Sequence, residues 1–99
     1  MEITIQSLHF DASEALKDFV TEKVSKLSTL YNKIESADVT LKLENAAQAD
    51  NKICEIRLAV PGSDLFAKRQ HQSFEEATNE VVDVLQQQIH KMKGKQEGN

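Results

Sequence analysis

The side chains able to do chemistry in this chain are three histidines (His9, His71, His90), one cysteine (Cys54) and an uneven set of lysines. The first four offer little to catalysis. No HxxxH, CxxC or GxSxG spacing is present, and three glycines cannot build a Gly-rich phosphate loop. A metal site needs at least two histidines converging with a carboxylate. The pattern instead puts His9 and His71 at strand ends and His90 on the outer side of a helix. Cys54 alternates in phase with Ile56, Leu58 and Val60, as a small core residue does, and a lone cysteine forms no internal disulfide. No catalytic residue, metal or cofactor is therefore expected.

The lysines are more informative. In "LKDFVTEKVSKLSTLYNK" (residues 16–33), a helical wheel places Leu16, Phe19, Val20, Val24, Leu27, Leu30, Tyr31 and Ile34 on an arc of about 140°. Lys23 falls inside that arc, Lys26 and Lys33 just off one edge, and Glu14, Asp18 and Glu22 in the next sector round. Snorkelling, with the methylenes on the apolar layer and the ammonium in water, accounts for Lys23 alone. It does not account for three lysines gathered on one flank. If that flank borders a second helix, the lysines line a groove and meet Lys91, Lys93 and Lys95 at one end. Such a groove suits a phosphate backbone, because lysine ammoniums are point-charge phosphate partners.

Total charge hides this arrangement. The net is −4 with a pI near 5.3, which by itself counts against nucleic-acid binding. Yet residues 13–34 carry four lysines against three acids, and 86–99 three against one, while 73–85 carry four acids and no base. Local field governs binding more than the total does. No run of 18 apolar residues is present, and "MEITIQSLHF" lacks the basic start and apolar segment of a signal peptide, so a cytoplasmic location is expected.

These residues must be held by a small domain. Ile3 and Ile5 alternate with polar neighbours as a first strand. "DASE" opens the first helix with Asp11 as N-cap and Glu14 three residues on, and the helix runs to about Tyr31, with Asn32 as its stop. "ADVTLKLEN" is a second strand and "AAQADNK" (46–52) a loop. "ICEIRLAV" is a third strand, with Glu55 and Arg57 opposite the Cys54 face. "PGSD" turns the chain into a fourth strand, "LFAKRQ", whose Phe66 is out of phase with Leu65 and Ala67 and so faces away from the helices. Ser73 and Glu76 form a capping box for the second helix. Its buried stripe is Phe74, Ala77, Val81, Leu85, Ile89 and Met92, and Gly94 and Gly98 end the fold in a short polar tail. The expected fold is α+β: a two-layer β-α-β-β-β-α arrangement, a four-stranded sheet with two helices packed on one face. Residues 1–95 form the single domain and 96–99 a short polar tail.

The element order, "ALKDFVTEKVSKLSTLYNKI", "VTLKLE" and "VLQQQIHKMKGK" resemble the short bacterial ribosome hibernation promoting factors and the related ribosome-associated translation inhibitor, over about residues 3–95. The first helix matches most specifically, through Ala15, Leu16, Lys17, Phe19, Val20, Lys23, Lys26 and Leu27. The resemblance implies a non-enzymatic, monomeric protein that binds the small ribosomal subunit near the decoding centre. It would block the mRNA and tRNA sites and keep ribosomes inactive in stationary phase or stress, without a membrane or small-molecule substrate. It also implies that Lys23, Lys26, Lys33, Lys91, Lys93 and Lys95 contact 16S-type rRNA phosphates. Gln86 and Gln87 stand where the family usually carries basic residues, and no counterpart of the extra C-terminal domain of the long factors is expected.

Two other readings compete. A double-stranded-RNA-binding module shares much of this order, but needs a basic start to its second helix, where this chain has the acidic "SFEEA". A protein-interaction domain would use the open sheet face around Phe66 and Arg57.

Overall fold

Alternation at a period of two builds the sheet, and its register shows why each strand forms where it does. In the computed structural model the described residues are 1–44, 47 and 49–97, the last three by backbone alone. The elements are β1 (Glu2–Leu8), α1 (Glu14–Ser25), α2 (Leu27–Leu30), β2 (Ser36–Leu43), β3 (Lys52–Val60), β4 (Ser63–His71) and α3 (Phe74–Glu97). The sheet order is β1-β2-β3-β4, with β1 parallel to β2 and the other pairs antiparallel. Ile5, Val39, Ile56 and Ala67 lie side by side across all four strands. That row and its neighbours Leu41, Cys54 and Leu58 form the floor on which the helices sit. The α+β architecture is as the sequence predicts.

Helix α3 lays down Phe74, Ala77, Val81, Leu85 and Ile89, all buried, at the spacing read from the sequence. Thr78 and Val82 are buried too. Helix α1 contributes Val20 and Val24, and α2 contributes Leu27, followed by Tyr31. Full burial of a Leu or Val side chain is worth about 1.5–3 kcal/mol, so this apolar layer fixes both helices on one face. The opposite face carries Glu55, Arg57, Phe66 and Lys68, and Phe66 keeps 43% of its surface exposed, on the side expected for it.

Local punctuation differs from the expectation in three places. Ser13, not Asp11, caps α1: its Oγ accepts from Leu16 N at 3.1 Å. The capping residue must be extended and three positions before its donor, and Ser13 (φ −69°, ψ 160°) is. The first helix is also not continuous. It breaks at Lys26, where the Ser25, Ser28 and Thr29 hydroxyls donate to the carbonyls of Thr21, Ser25 and Lys26. Hydroxyls that take up backbone carbonyls in this way bend or loosen a helix. Finally, α3 passes through Gly94 to Glu97. Gly94 lies inside the helix instead of ending it.

Other punctuation agrees. Ser73 Oγ accepts from Glu76 N at 3.1 Å at the start of α3. Pro61 and Gly62 join the Val60–Ser63 pair in a two-residue turn with Gly62 at φ +80°. Nothing lies within 4 Å of where a Gly62 side chain would begin, so the dihedral, not space, demands glycine there. The 46–52 loop is described only in part, at Ala47 and residues 49–51, since Lys52 already belongs to β3 and residues 45, 46 and 48 lie outside the described residues. Among the described residues no helix is long and apolar enough to cross a membrane.

Candidate nucleic-acid interface

The helix layer positions the lysines, and they divide into distinct settings. Lys23 is half-buried on α1, its Nζ 5.5 Å from the centroid of the Phe19 ring one turn back. The aromatic face holds the ammonium at the border of the apolar stripe, so the lysine inside the arc is accommodated by snorkelling over Phe19. Lys26 is exposed at the α1–α2 break, and Lys33 is exposed between α2 and β2. Among the described residues the Lys26 side chain meets no carboxylate.

The lysines of α3 do not act as one cluster. Lys93 is half-buried and its Nζ donates to the Leu30 carbonyl at 2.8 Å, across the seam to the end of α2. Lys91, two residues earlier, points about 200° round the helix. It lines a shallow depression with Val84, Gln87, Gln88 and His90. Gln88 on that side donates to the Phe66 carbonyl of β4. The expected meeting of the first-helix lysines with Lys91, Lys93 and Lys95 is thus corrected: Lys93 faces α2 and Lys91 faces the β4 side. Lys95 lies in α3, and its side chain is outside the described residues.

Ion pairing separates this set from most of the other cations; the exception is Lys52, whose Nζ donates to Asn51 Oδ1 and which also has no carboxylate partner among the described residues. Lys17, Lys42, Arg57, Lys68 and Arg69 each have a carboxylate within 4 Å, on Glu14, Glu44, Asp64, Glu55 and Glu80 respectively. Among the described residues Lys23, Lys26, Lys33, Lys91 and Lys93 have none. Lys42, Arg57 and Lys68 of the open sheet face are neutralised in place, and among the described residues Lys23, Lys26, Lys33 and Lys91 of the helix layer are not. An uncompensated ammonium keeps its full attraction for an external anion, whereas a paired one must first be separated from its partner. The acids of α3 concentrate in its first half, at Glu75, Glu76, Glu80 and Asp83, whereas those of α1, Glu14, Asp18 and Glu22, are spread along the helix. Charge therefore runs from acid to base along α3, from Glu75 to Lys95.

One polar cluster was not anticipated. His71 Nε2 sits 2.6 Å from Glu80 Oε2, Arg69 Nε donates to Glu80 Oε1 at 2.8 Å, and Glu76 lies 3.9 Å from His71 Nδ1. The His71 hydrogen bond, above all, holds the Glu80 carboxyl below its usual range. Strand spacing (69, 71) set against helix spacing (76, 80) was the available signal for this strut between β4 and α3. Among the described residues no group of three His, Cys, Asp or Glu side chains is placed to hold a metal ion.

Against this geometry, one sequence family stands out. The family described as Sigma 54 modulation protein / S30EA ribosomal protein matches residues 3–97. The chain belongs to this family. Its S30EA-type relatives include the ribosome hibernation promoting factor of Pseudomonas putida, 29% identical over 97 residues, which are 98% of this chain and 91% of the relative. The factor of the same name from Azotobacter vinelandii is 33% identical over 96 residues, 97% of this chain and 86% of the relative. Among solved structures, a ribosomal subunit interface protein from Coxiella burnetii has a TM-score of 0.85 at 19% identity, covering 95% of this chain and 99% of its own. That likeness carries the S30EA fold. The family resemblance read from the first helix and the strand order holds.

Proposed function

We propose that this S30EA-family chain is a ribosome hibernation factor. It docks on the small ribosomal subunit near the decoding centre, occupies the space of mRNA and tRNA, and holds ribosomes inactive in stationary phase or stress. It acts in the cytoplasm as a monomer until it binds, without catalysis. The observation that carries the reading is the coincidence of the unpaired lysines with the family's most specific segment. Among the described residues Lys23, Lys26 and Lys33 on the α1–α2 flank and Lys91 on α3 have no carboxylate partner. Lysine–phosphate contacts supply affinity without sequence information, which suits a protein that recognises one fixed RNA surface by shape.

The test is co-sedimentation with purified small and large subunits at two salt concentrations, for the wild type and Lys23→Glu/Lys26→Glu. The expected result is pelleting with the small subunit, weakened by salt and lost in the variant, with mRNA and initiator tRNA displaced in proportion. Pelleting that survives the charge reversal but fails on changing Phe66 would move the function to the open sheet face.

A further inference from the structure

Resting on that reading, we propose that Lys93 is a positioning residue for the interface, acting through α2, and not one of its phosphate contacts. Helix α2 is a single turn of four residues, too short to persist on its own, because one turn fixes several dihedrals for one hydrogen bond. The last carbonyls of such a turn have no partner within the helix. One of them, Leu30 O, is taken by Lys93 Nζ, 63 residues away in sequence.

The rest of α2 is held from other directions. Leu27 and Tyr31 are buried in the core. The hydroxyls of Ser28 and Thr29 turn back onto Ser25 and Lys26 carbonyls. The ammonium–carbonyl bond is charge-assisted and partly sheltered, so it adds a directional tie between α3 and the end of α2 to the apolar packing of Leu27, Leu30 and Tyr31. Lys26 immediately precedes α2 and Lys33 follows it by three residues, both exposed. Fixing α2 therefore fixes the backbone positions that carry Lys26 and Lys33 relative to each other and to α3. The bond to Leu30 O takes one of the three Lys93 N–H donors and holds its ammonium against the end of α2, a constraint the structure shows for none of Lys26, Lys33 and Lys91 among the described residues.

The experiment is a thermodynamic cycle. Affinity for vacant small subunits is measured for Lys93→Met in the wild-type background and in the Lys26→Gln/Lys33→Gln background. Amide exchange at Tyr31, whose N–H donates to Leu27 O, is followed in the free proteins. Lys93→Met is expected to weaken binding at least about fivefold in the wild-type background, and by a clearly smaller factor once Lys26 and Lys33 are neutral. Tyr31 exchange should speed up in free Lys93→Met and return in Lys93→Arg, whose guanidinium can still donate to a carbonyl. Equal factors in both backgrounds with unchanged Tyr31 exchange would overturn the positioning role and make Lys93 a direct contact. Failure of the wild type to bind small subunits would instead overturn the functional reading, and this role with it.

Discussion

Replacing Lys26 and Lys33 together by glutamine removes two exposed ammoniums that have no ion-pair partner among the described residues, and disturbs no buried side chain. The expected effect lies in the salt dependence of binding. Lys23, Lys26, Lys33 and Lys91 are taken as the phosphate contacts, with Lys93 occupied by Leu30. Each contact contributes about 0.7–0.9 to the slope of log K against log salt, so four give a slope of about −2.8 to −3.6. A fourfold rise in salt then lowers wild-type affinity about 50- to 150-fold, whereas with two contacts left the loss is about 7- to 12-fold. Fluorescence anisotropy of amino-terminally labelled protein, titrated with vacant small subunits at constant magnesium, reads both slopes. The control is Arg57→Gln/Lys68→Gln, which removes cations already neutralised by Asp64 and Glu55 and should leave the slope near wild type. Equal slopes for wild type and the Lys26/Lys33 variant, or an equal fall in the control, would refute the assignment.

Four further outcomes concern the scaffold. The Cys54 thiol is pushed up to about 11, chiefly by burial, with the Thr78 hydroxyl bond lowering it in part; a thiol reagent at neutral pH should label it only as fast as the protein opens, and rapid labelling of the native protein would contradict this. Because His71 and Arg69 depress the Glu80 carboxyl, its contribution is present above the ordinary glutamate range and lost as pH falls through the lowered folded value. Glu80→Gln should therefore melt below wild type at neutral pH and match it in acid, and a gap persisting in acid would point to packing. His9 holds a left-handed backbone at φ 69°, so His9→Gly should raise stability by about 0.5–1 kcal/mol in urea unfolding, and a loss would show that its side chain matters. Gly94 sits inside α3 with open space around it; Gly94→Ala should add about 0.5–1 kcal/mol, and a melting temperature at or below wild type would contradict it.

The parts of this molecule legible in its sequence are those governed by short periods. The alternation of Cys54, Ile56, Leu58 and Val60 set the strand and its buried face. The spacing from Phe74 to Ile89 set the stripe of α3, and Ser73 with Glu76 marked its start. The misread parts depend on competition or distance. Asp11 and Ser13 are both good caps, and only the backbone decides between them. The break at Lys26 arises because three hydroxyls take up helix carbonyls, an effect each residue carries weakly on its own. Gly94 stays helical although glycine is a weak helix former, in a helix whose earlier turns are packed on the core as far as Met92. The bond from Lys93 to Leu30 O joins residues far apart in the chain and leaves no local pattern, so lysines of equal standing in the sequence, Lys26 and Lys93 among them, have different surroundings.

Lysine footprinting would decide which surface meets the ribosome. The protein, free and bound to vacant small subunits, is treated briefly with an amine-acylating reagent, and each lysine is quantified by mass spectrometry. Protection of Lys23, Lys26, Lys33 and Lys91, with Lys42 and Lys68 as reactive as in the free protein, is the expected result. Protection of Lys42 and Lys68 with the α1–α2 flank still reactive would contradict it and turn the molecule over, placing the open sheet face against the ribosome.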